Sequence, residues 1–158
     1  LYVKDLFGFI VLMTIFTFVV YFYPNSLGHP DNYIPANPMV TPAHIVPEWY
    51  FLPFYAVLRS IPDKLGGVLA MGGALVMVLL MPLLNTSEIR STAFRPIFRK
   101  VYWFFIANFL ILGWIGGNEV EDPYILIGQL STIFYFAFFL IIVPALGKIE
   151  ALLMRIKV

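Results

Sequence analysis

Charged residues are absent from four long hydrophobic segments of the chain. The segments cover residues 6–23, 65–84, 101–117 and 125–143. A helix rises about 1.5 Å per residue, so segments of this length span the ~30 Å hydrocarbon core of a bilayer or most of it. The pattern therefore predicts an all-α integral membrane fold with four transmembrane helices.

The connection between the first two segments, residues 24–64, contains eight of the twelve prolines of the chain. Proline fixes φ and lacks a backbone N–H group, so the part up to Pro42 is predicted to be extended and rich in turns. The sequence then becomes apolar and aromatic over residues 47–61. Pro47 suits the first position of a helix and Glu48 suits the positive end of its dipole. We therefore expect a long outer loop that contains a short surface helix.

Aromatic side chains crowd this second part of the loop, which contains Trp49, Tyr50, Phe51, Phe54 and Tyr55. Such side chains are expected to be buried against lipid, against the helix bundle or around a ligand. Long irregular loops are usually functional or disordered, and disorder does not suit so aromatic a segment. The loop is therefore predicted to carry function.

Two features of the spans indicate helix packing. Gly66, Ala70 and Ala74 recur at four-residue spacing in the second segment, and small residues on one face let helix backbones approach closely in a membrane. Asn108 lies in the middle of the third segment, where an interhelical hydrogen bond is expected.

The composition excludes an ordinary soluble domain. Hydrophobic residues make up 61% and charged residues 12% of the chain, against roughly 45–50% and about 25% in soluble proteins. A net charge of +1 without a concentrated basic stripe indicates that nucleic acid is not a partner. The absence of cysteine excludes disulfides, thiolate metal sites and covalent haem attachment on this chain.

Lys and Arg predict the orientation, because positively charged loops stay on the side from which insertion occurs. With four spans, eight of the ten basic residues fall on the side of the two termini, which leaves only Arg59 and Lys64 outside. Residues 24–64 are therefore expected to face out, together with the acidic loop that holds Glu119, Glu121 and Asp122.

Glu48 is the first candidate for chemistry. Burial among aromatic side chains would disfavour its charged form and raise its pKa, which would make it a proton acceptor near neutral pH. A helix N-cap or first-turn carboxylate that stabilises its own helix is an equally good interpretation. The residues alone leave both open.

The other polar candidates have structural interpretations. Tyr50 and Tyr55 could present hydroxyl groups to a ligand, but an interfacial aromatic belt is the favoured interpretation. His29 and His44 lie in the Pro-rich loop, whereas bis-histidine haem ligation needs facing helices, so structural hydrogen bonding is expected. Asp5 stands next to Lys4 at the edge of the first span and suggests an interfacial ion pair.

Several motifs resemble the cytochrome b family of respiratory cytochrome bc complexes. The motifs are His29-Pro30-Asp31-Asn32-Tyr33, Pro47-Glu48-Trp49-Tyr50, Leu58-Arg59-Ser60-Ile61-Pro62-Asp63-Lys64, Gly113-Trp114-Ile115-Gly116-Gly117 and Gly147-Lys148-Ile149-Glu150. The resemblance covers nearly the whole chain, but only the last four helices of a complete cytochrome b. With Leu1 in place of Met, the chain is expected to be a processed product, a split-gene product or a piece of a longer polypeptide.

The resemblance implies two quinone sites. At the outer site, Glu48 would take a proton from quinol, and Glu48 and Tyr50 are the residues implied to be catalytic. Further residues would bind quinol there: Pro47, Phe51, Tyr55 and Met71. At the inner site, where quinone is reduced, Asp5 is implied to be a ligand.

The resemblance also implies cofactors and partners. Ubiquinol and ubiquinone would be the substrates, and the b-type haems would lie only on the N-terminal part of cytochrome b, which this sequence lacks. That N-terminal part, the Rieske iron–sulfur protein and cytochrome c1 would be the partners in a dimeric complex. The expected location is an energy-transducing membrane, either the mitochondrial inner membrane, which the position of the chain end favours, or a bacterial cytoplasmic membrane.

Three other interpretations are weaker. Subunit IV of the photosynthetic cytochrome complex shares the Pro47–Tyr50 motif but normally has three spans. A transporter or channel would be expected to place ionisable residues inside its spans. A structural anchor leaves the aromatic loop unexplained.

Overall fold

The computed structural model describes residues 2–42, 45–89 and 91–156. These residues form α-helices and short helical turns, without a β-strand in the described ranges. The α-helices are α1 (Tyr2–Phe22), α2 (Leu52–Ser60), α3 (Lys64–Leu84), α4 (Pro96–Gly116), α5 (Tyr124–Ala137) and α6 (Val143–Ile156). A π-helical turn, Phe138–Ile142, joins α5 to α6.

Four of these helical stretches are long and apolar enough to cross a membrane. They are Tyr2–Phe22, Lys64–Leu84, Pro96–Gly116 and Tyr124–Leu153. This confirms the predicted all-α fold with four candidate spans.

The chain divides into two compact units between Glu48 and Trp49. The first unit consists of α1 and the Pro-rich connection. No residue of α1 is buried, and the connection holds a single short turn of 3-10 helix, Pro30–Tyr33, among its described residues. The extended, turn-rich path that the prolines predict is therefore present.

Helix α2 packs against three long helices of the second unit, namely α3, α4 and α5. Its buried face consists of Pro53, Ala56, Val57 and Ser60. The Ser60 hydroxyl donates to the Ala56 carbonyl oxygen at 2.7 Å, and the Thr132 hydroxyl of α5 donates to Ser60 Oγ at 3.0 Å. The short helix is therefore anchored in the helix bundle through one face.

The predicted start of this helix at Pro47 is wrong. Pro47 and Glu48 lie in irregular backbone, a 3-10 turn follows at Trp49–Phe51, and α2 begins at Leu52. Pro53 lies in the first turn of α2, where the missing N–H group costs no hydrogen bond. Glu48 directly precedes the 3-10 turn that leads into α2, so its carboxylate is not in the first turn of α2, and the interpretation as a helix N-cap stays a prediction.

Two glycines let the backbone of α2 lie directly against its neighbours. A Cβ atom on Gly116 of α4 would collide with the Leu52 carbonyl group, and one on Gly67 of α3 would lie 2.6 Å from the Leu58 carbonyl oxygen. Both neighbours are backbone atoms, which cannot move aside as a flexible side chain can. These two contacts hold both ends of α2.

Replacing Gly67 by Ala is expected to destabilise the second unit by about 1–3 kcal/mol, because the added methyl group overpacks the contact with α2. Gly72 lies on the same helix with open space around its Cα, so Gly72→Ala is the matched control and should be neutral or slightly stabilising. Thermal denaturation of the assembled protein compares the two variants. Equal melting temperatures would contradict a tight contact at Gly67.

Interhelical packing follows both sequence predictions. Ala74 is fully buried, and the Tyr135 hydroxyl of α5 donates to its carbonyl oxygen at 2.9 Å. Asn108 Nδ2 of α4 donates to the Ser131 carbonyl oxygen at 3.0 Å. The small face of α3 and the amide of Asn108 therefore both connect neighbouring helices.

Candidate functional site

The carboxylate of Glu48 is exposed, and Pro47 before it is partly buried. The described residues therefore do not supply the burial that the aromatic surroundings suggested for this carboxylate. A proton-accepting role for Glu48 needs a ligand or another polypeptide to cover the side chain.

Three aromatic residues follow Glu48 as a continuous row. The ring centroids of Trp49 and Tyr50 are 5.7 Å apart, and those of Tyr50 and Phe51 are 4.7 Å apart. Trp49 is 59%, Tyr50 53% and Phe51 50% exposed, so about half of each side chain faces outward from the second unit. Exposed aromatic surface of this kind is suited to contact with lipid, a ligand or another protein.

Tyr55 is partly buried on α2, one turn before Arg59. The Cζ atom of Arg59 lies over its ring, 5.4 Å from the ring centroid. Met71 is partly buried on α3, one of the helices against which α2 packs. Among the residues predicted for the outer site, Tyr55 and Met71 therefore lie on packed helices of one unit.

Asp5 is exposed in the first turn of α1. The interfacial ion pair predicted for Lys4 and Asp5 is not present. A carboxylate in the first turn interacts favourably with the positive end of the helix, which gives Asp5 a structural role in this chain. Its exposure leaves the carboxylate accessible to a ligand.

His29 has the structural role that the sequence predicts. Its Nδ1 atom accepts a hydrogen bond from the backbone N–H of Asp31 at 3.3 Å and thereby caps the turn at Pro30–Tyr33. His44 lies outside the described residues. The chain contains no other histidine, and a bis-histidine haem site needs two imidazoles on facing helices. The residues of this chain therefore do not fit a b-type haem.

A buried ion pair lies at the start of α4. Arg95 Nε donates to Glu150 Oε2 at 2.6 Å, and the two residues are 2% and 4% exposed. The backbone N–H of Phe98 donates to Glu150 Oε1 at 3.1 Å, and the Arg95 guanidinium lies over the Phe98 ring. This pair was not predicted from the sequence, in which 55 residues separate Arg95 from Glu150.

The hydrogen bonds of Arg59 were also not predicted from the sequence. Its Nη1 atom donates to the Asn118 carbonyl oxygen at 2.8 Å and to the Gly116 carbonyl oxygen at 3.3 Å. Only the four-residue spacing to Tyr55 on a helix could have indicated its contact with that ring.

The chain is similar to proteins of one family. A family model described as cytochrome b (C-terminal)/b6/petD matches residues 35–136. Cytochrome b of Chondrus crispus is 58% identical over 156 residues, which cover 99% of this chain and 41% of that protein. Cytochrome b of Phytophthora megasperma is 62% identical and that of Rhodospirillum rubrum 57%, and the matches cover 98% and 94% of this chain and 40% and 36% of those proteins.

A solved structure agrees with the sequence comparisons. A chain of a structure titled "Hyperthermophilic respiratory Complex III" superimposes with a TM-score of 0.87 at 35% identity. The match covers 95% of this chain and 38% of that chain. This chain therefore spans about two fifths of the length of the relatives that it matches.

Proposed function

Because this chain belongs to the family of cytochrome b C-terminal domains, we propose that it forms much of the quinol-oxidation pocket and part of the quinone-reduction site of a quinol–cytochrome c oxidoreductase. The observation that carries the proposal is the Pro47-Glu48-Trp49-Tyr50 segment, which lies within the family match and in which an exposed carboxylate precedes exposed aromatic residues in sequence. Quinol oxidation by the assembled complex with Glu48→Gln tests it.

The proposed chemistry of this chain at the outer site is proton transfer. Oxidation of one quinol releases two electrons and two protons, and the electrons pass to acceptors on other parts of the complex. Glu48 accepts a proton from a quinol hydroxyl and releases it to the outer side. This role requires quinol or another part of the complex to cover the carboxylate, which is exposed in this chain.

The remaining outer-site residues shape the pocket. Tyr50 contributes its ring and hydroxyl beside Glu48, and Phe51 extends the aromatic surface. Tyr55 on α2 and Met71 on α3 contribute side chains that the packed bundle holds in place, while Pro47 restricts the backbone before Glu48. The direct contact of α2 with Gly67 and Gly116 supports this role for Tyr55, because it limits movement of the helix.

Asp5 is proposed to contribute to quinone reduction on the inner side. Reduction consumes protons, and an exposed carboxylate at the end of a span can bind or deliver one. A proton-releasing site on one side and a proton-consuming site on the other would couple electron transfer to charge separation. The transporter and anchor interpretations account for none of the family-specific residues, and four candidate spans do not suit the three-span photosynthetic subunit.

The proposed partners follow from the part of cytochrome b that this chain does not cover. They are the N-terminal haem-binding part, the Rieske iron–sulfur protein and cytochrome c1, within a dimeric complex in a lipid bilayer. The chain is a multi-pass protein of an energy-transducing membrane. We propose the mitochondrial inner membrane as its location. A bacterial cytoplasmic membrane is the alternative, because one of the similar proteins is cytochrome b of Rhodospirillum rubrum.

The topology gives an expected result that does not depend on catalysis. Cysteines introduced at Ser91 and at Glu121 should react with a membrane-impermeant thiol reagent from opposite sides, because one candidate span, α4, separates the two positions. The chain has no other cysteine, so labelling reports these positions alone. Labelling of both from the same side would require a different number of spans.

A further inference from the structure

The guanidinium group of Arg59 connects the end of α2 with the end of α4. Its Nη1 atom donates to the carbonyl oxygens of Gly116 and Asn118, at the C-terminal end of α4. The Gly116 carbonyl lies at the negative end of the α4 dipole, and the Asn118 carbonyl belongs to the turn that follows α4. The charge of Arg59 therefore interacts with α4 rather than with a carboxylate, since no ion pair to Arg59 is present among the described residues.

The same guanidinium covers the ring of Tyr55, with Cζ 5.4 Å from the ring centroid. Residues four apart on a helix lie on the same face, so Tyr55 and Arg59 project together from α2. The cation is attracted to the ring, and its position is set by the carbonyls of α4. Rotation of the Tyr55 ring away from this position would break the contact.

We infer that Arg59 is a positioning residue of the outer quinol site, which sets the orientation of the Tyr55 side chain by linking it to the C-terminal end of α4. This inference rests on the proposed function, in which Tyr55 contributes to that site. Arg59 does not touch quinol in this arrangement and acts through Tyr55. The tight contact of Gly116 with Leu52 holds the other end of α2 against the same helix, so the ring is fixed relative to α4 at two points.

The test is a double-mutant cycle in the assembled complex with Arg59→Met, Tyr55→Leu and the combination of the two. Arg59→Met is expected to raise KM for quinol by about three- to tenfold and to change kcat by less than about twofold, since it weakens binding rather than chemistry. Tyr55→Leu should raise KM by a similar factor. If Arg59 acts through Tyr55, the combined variant should be no worse than Tyr55→Leu alone.

Two results obtained with Arg59→Met would overturn the inference. One is an unchanged KM in Arg59→Met, and the other is a combined effect equal to the product of the two single effects. An unchanged KM in Tyr55→Leu would remove Tyr55 from the site and overturn the inference too, but it leaves the proposed function standing if Glu48→Gln still slows quinol oxidation. Arg99→Met is the control for loss of one cation, because Arg99 is exposed on α4 at the end remote from Gly116.

Arg59→Lys keeps the test decisive if Arg59→Met prevents assembly. Lys retains a charge for the α4 carbonyls but lacks the planar guanidinium that lies over the ring. Normal haem content with a raised KM in Arg59→Lys would support positioning. Normal KM in Arg59→Lys combined with failed assembly of Arg59→Met would assign Arg59 to folding alone and overturn the inference.

Discussion

Quinol oxidation by the assembled complex should slow by about tenfold to a hundredfold when Glu48 is replaced by Gln, because general acid–base groups typically contribute at least that much. Gln keeps the size of the side chain and most of its hydrogen-bonding capacity while it removes the titratable group. A purely structural side chain would therefore tolerate the change. The exposure of Glu48 in this chain makes a folding defect unexpected.

Pre-steady-state haem reduction is the appropriate measurement, because it separates the first turnover at the outer site from later steps. Haem content and subunit assembly should stay normal in Glu48→Gln. Asp5→Asn is the matched control, also a removal of one exposed carboxylate. It should impair quinone reduction on the inner side and leave the first outer-site turnover unchanged. Normal outer-site kinetics of Glu48→Gln over the whole pH range would exclude the proposed role.

The existence of the four spans was predictable because long uncharged segments are incompatible with water, but their ends were not. Helix α4 begins at Pro96, before the charged residues Arg99 and Lys100, although the uncharged segment starts only at residue 101. The last helix, α6, runs to Ile156 and includes Lys148 and Glu150. Hydropathy reports which residues suit lipid, whereas a helix continues for as long as its backbone and packing allow.

The start of α2 shows a limit of local rules. Pro47 and Pro53 both satisfy the preference for proline in a first helical turn, and the acidic residue after Pro47 favoured the wrong choice. In the structure α2 begins at Leu52, where the Leu52 carbonyl group lies against Gly116 of α4 and the Leu58 carbonyl group lies against Gly67 of α3. Contacts between residues distant in sequence decided the boundary.

The candidate site was predictable only where a motif resembles the family. Glu48, Tyr50 and Tyr55 were candidates from their residue types and surroundings, but their roles at a quinol site came only from that resemblance. Arg59 lies in the motif Leu58–Lys64, but the motif indicated no role for it, because its hydrogen-bond acceptors are backbone carbonyls 57 and 59 residues away. A side chain that binds backbone atoms of another helix leaves no complementary residue in the sequence to identify.

Breaking the ion pair of Arg95 and Glu150 by removal of one charge should lower stability more than the loss of any other described side-chain contact. Both residues are almost fully buried, and breaking a buried pair by removing one charge typically costs about 3–5 kcal/mol, because the other charge stays buried without compensation. Glu150→Gln keeps an oxygen for the Phe98 N–H group but leaves the guanidinium unpaired. We expect a strongly lowered melting temperature and reduced amounts of assembled complex.

Two further variants test whether the loss of stability in Glu150→Gln comes from the broken ion pair or from the removal of any carboxylate. Glu88→Gln removes an exposed carboxylate and should leave stability within about 0.5 kcal/mol of the parent. The combination of Arg95→Met with Glu150→Leu removes both charges and should recover much of the loss, since apolar residues of similar volume often replace a buried pair at little cost. Thermal denaturation followed by haem absorbance in membranes ranks the three variants. Because Glu150 on α6 binds Arg95 and Phe98 at the N-terminal end of α4, Glu150→Gln is expected to be the least stable of the three variants. Equal stability of Glu150→Gln and Glu88→Gln would contradict this expectation.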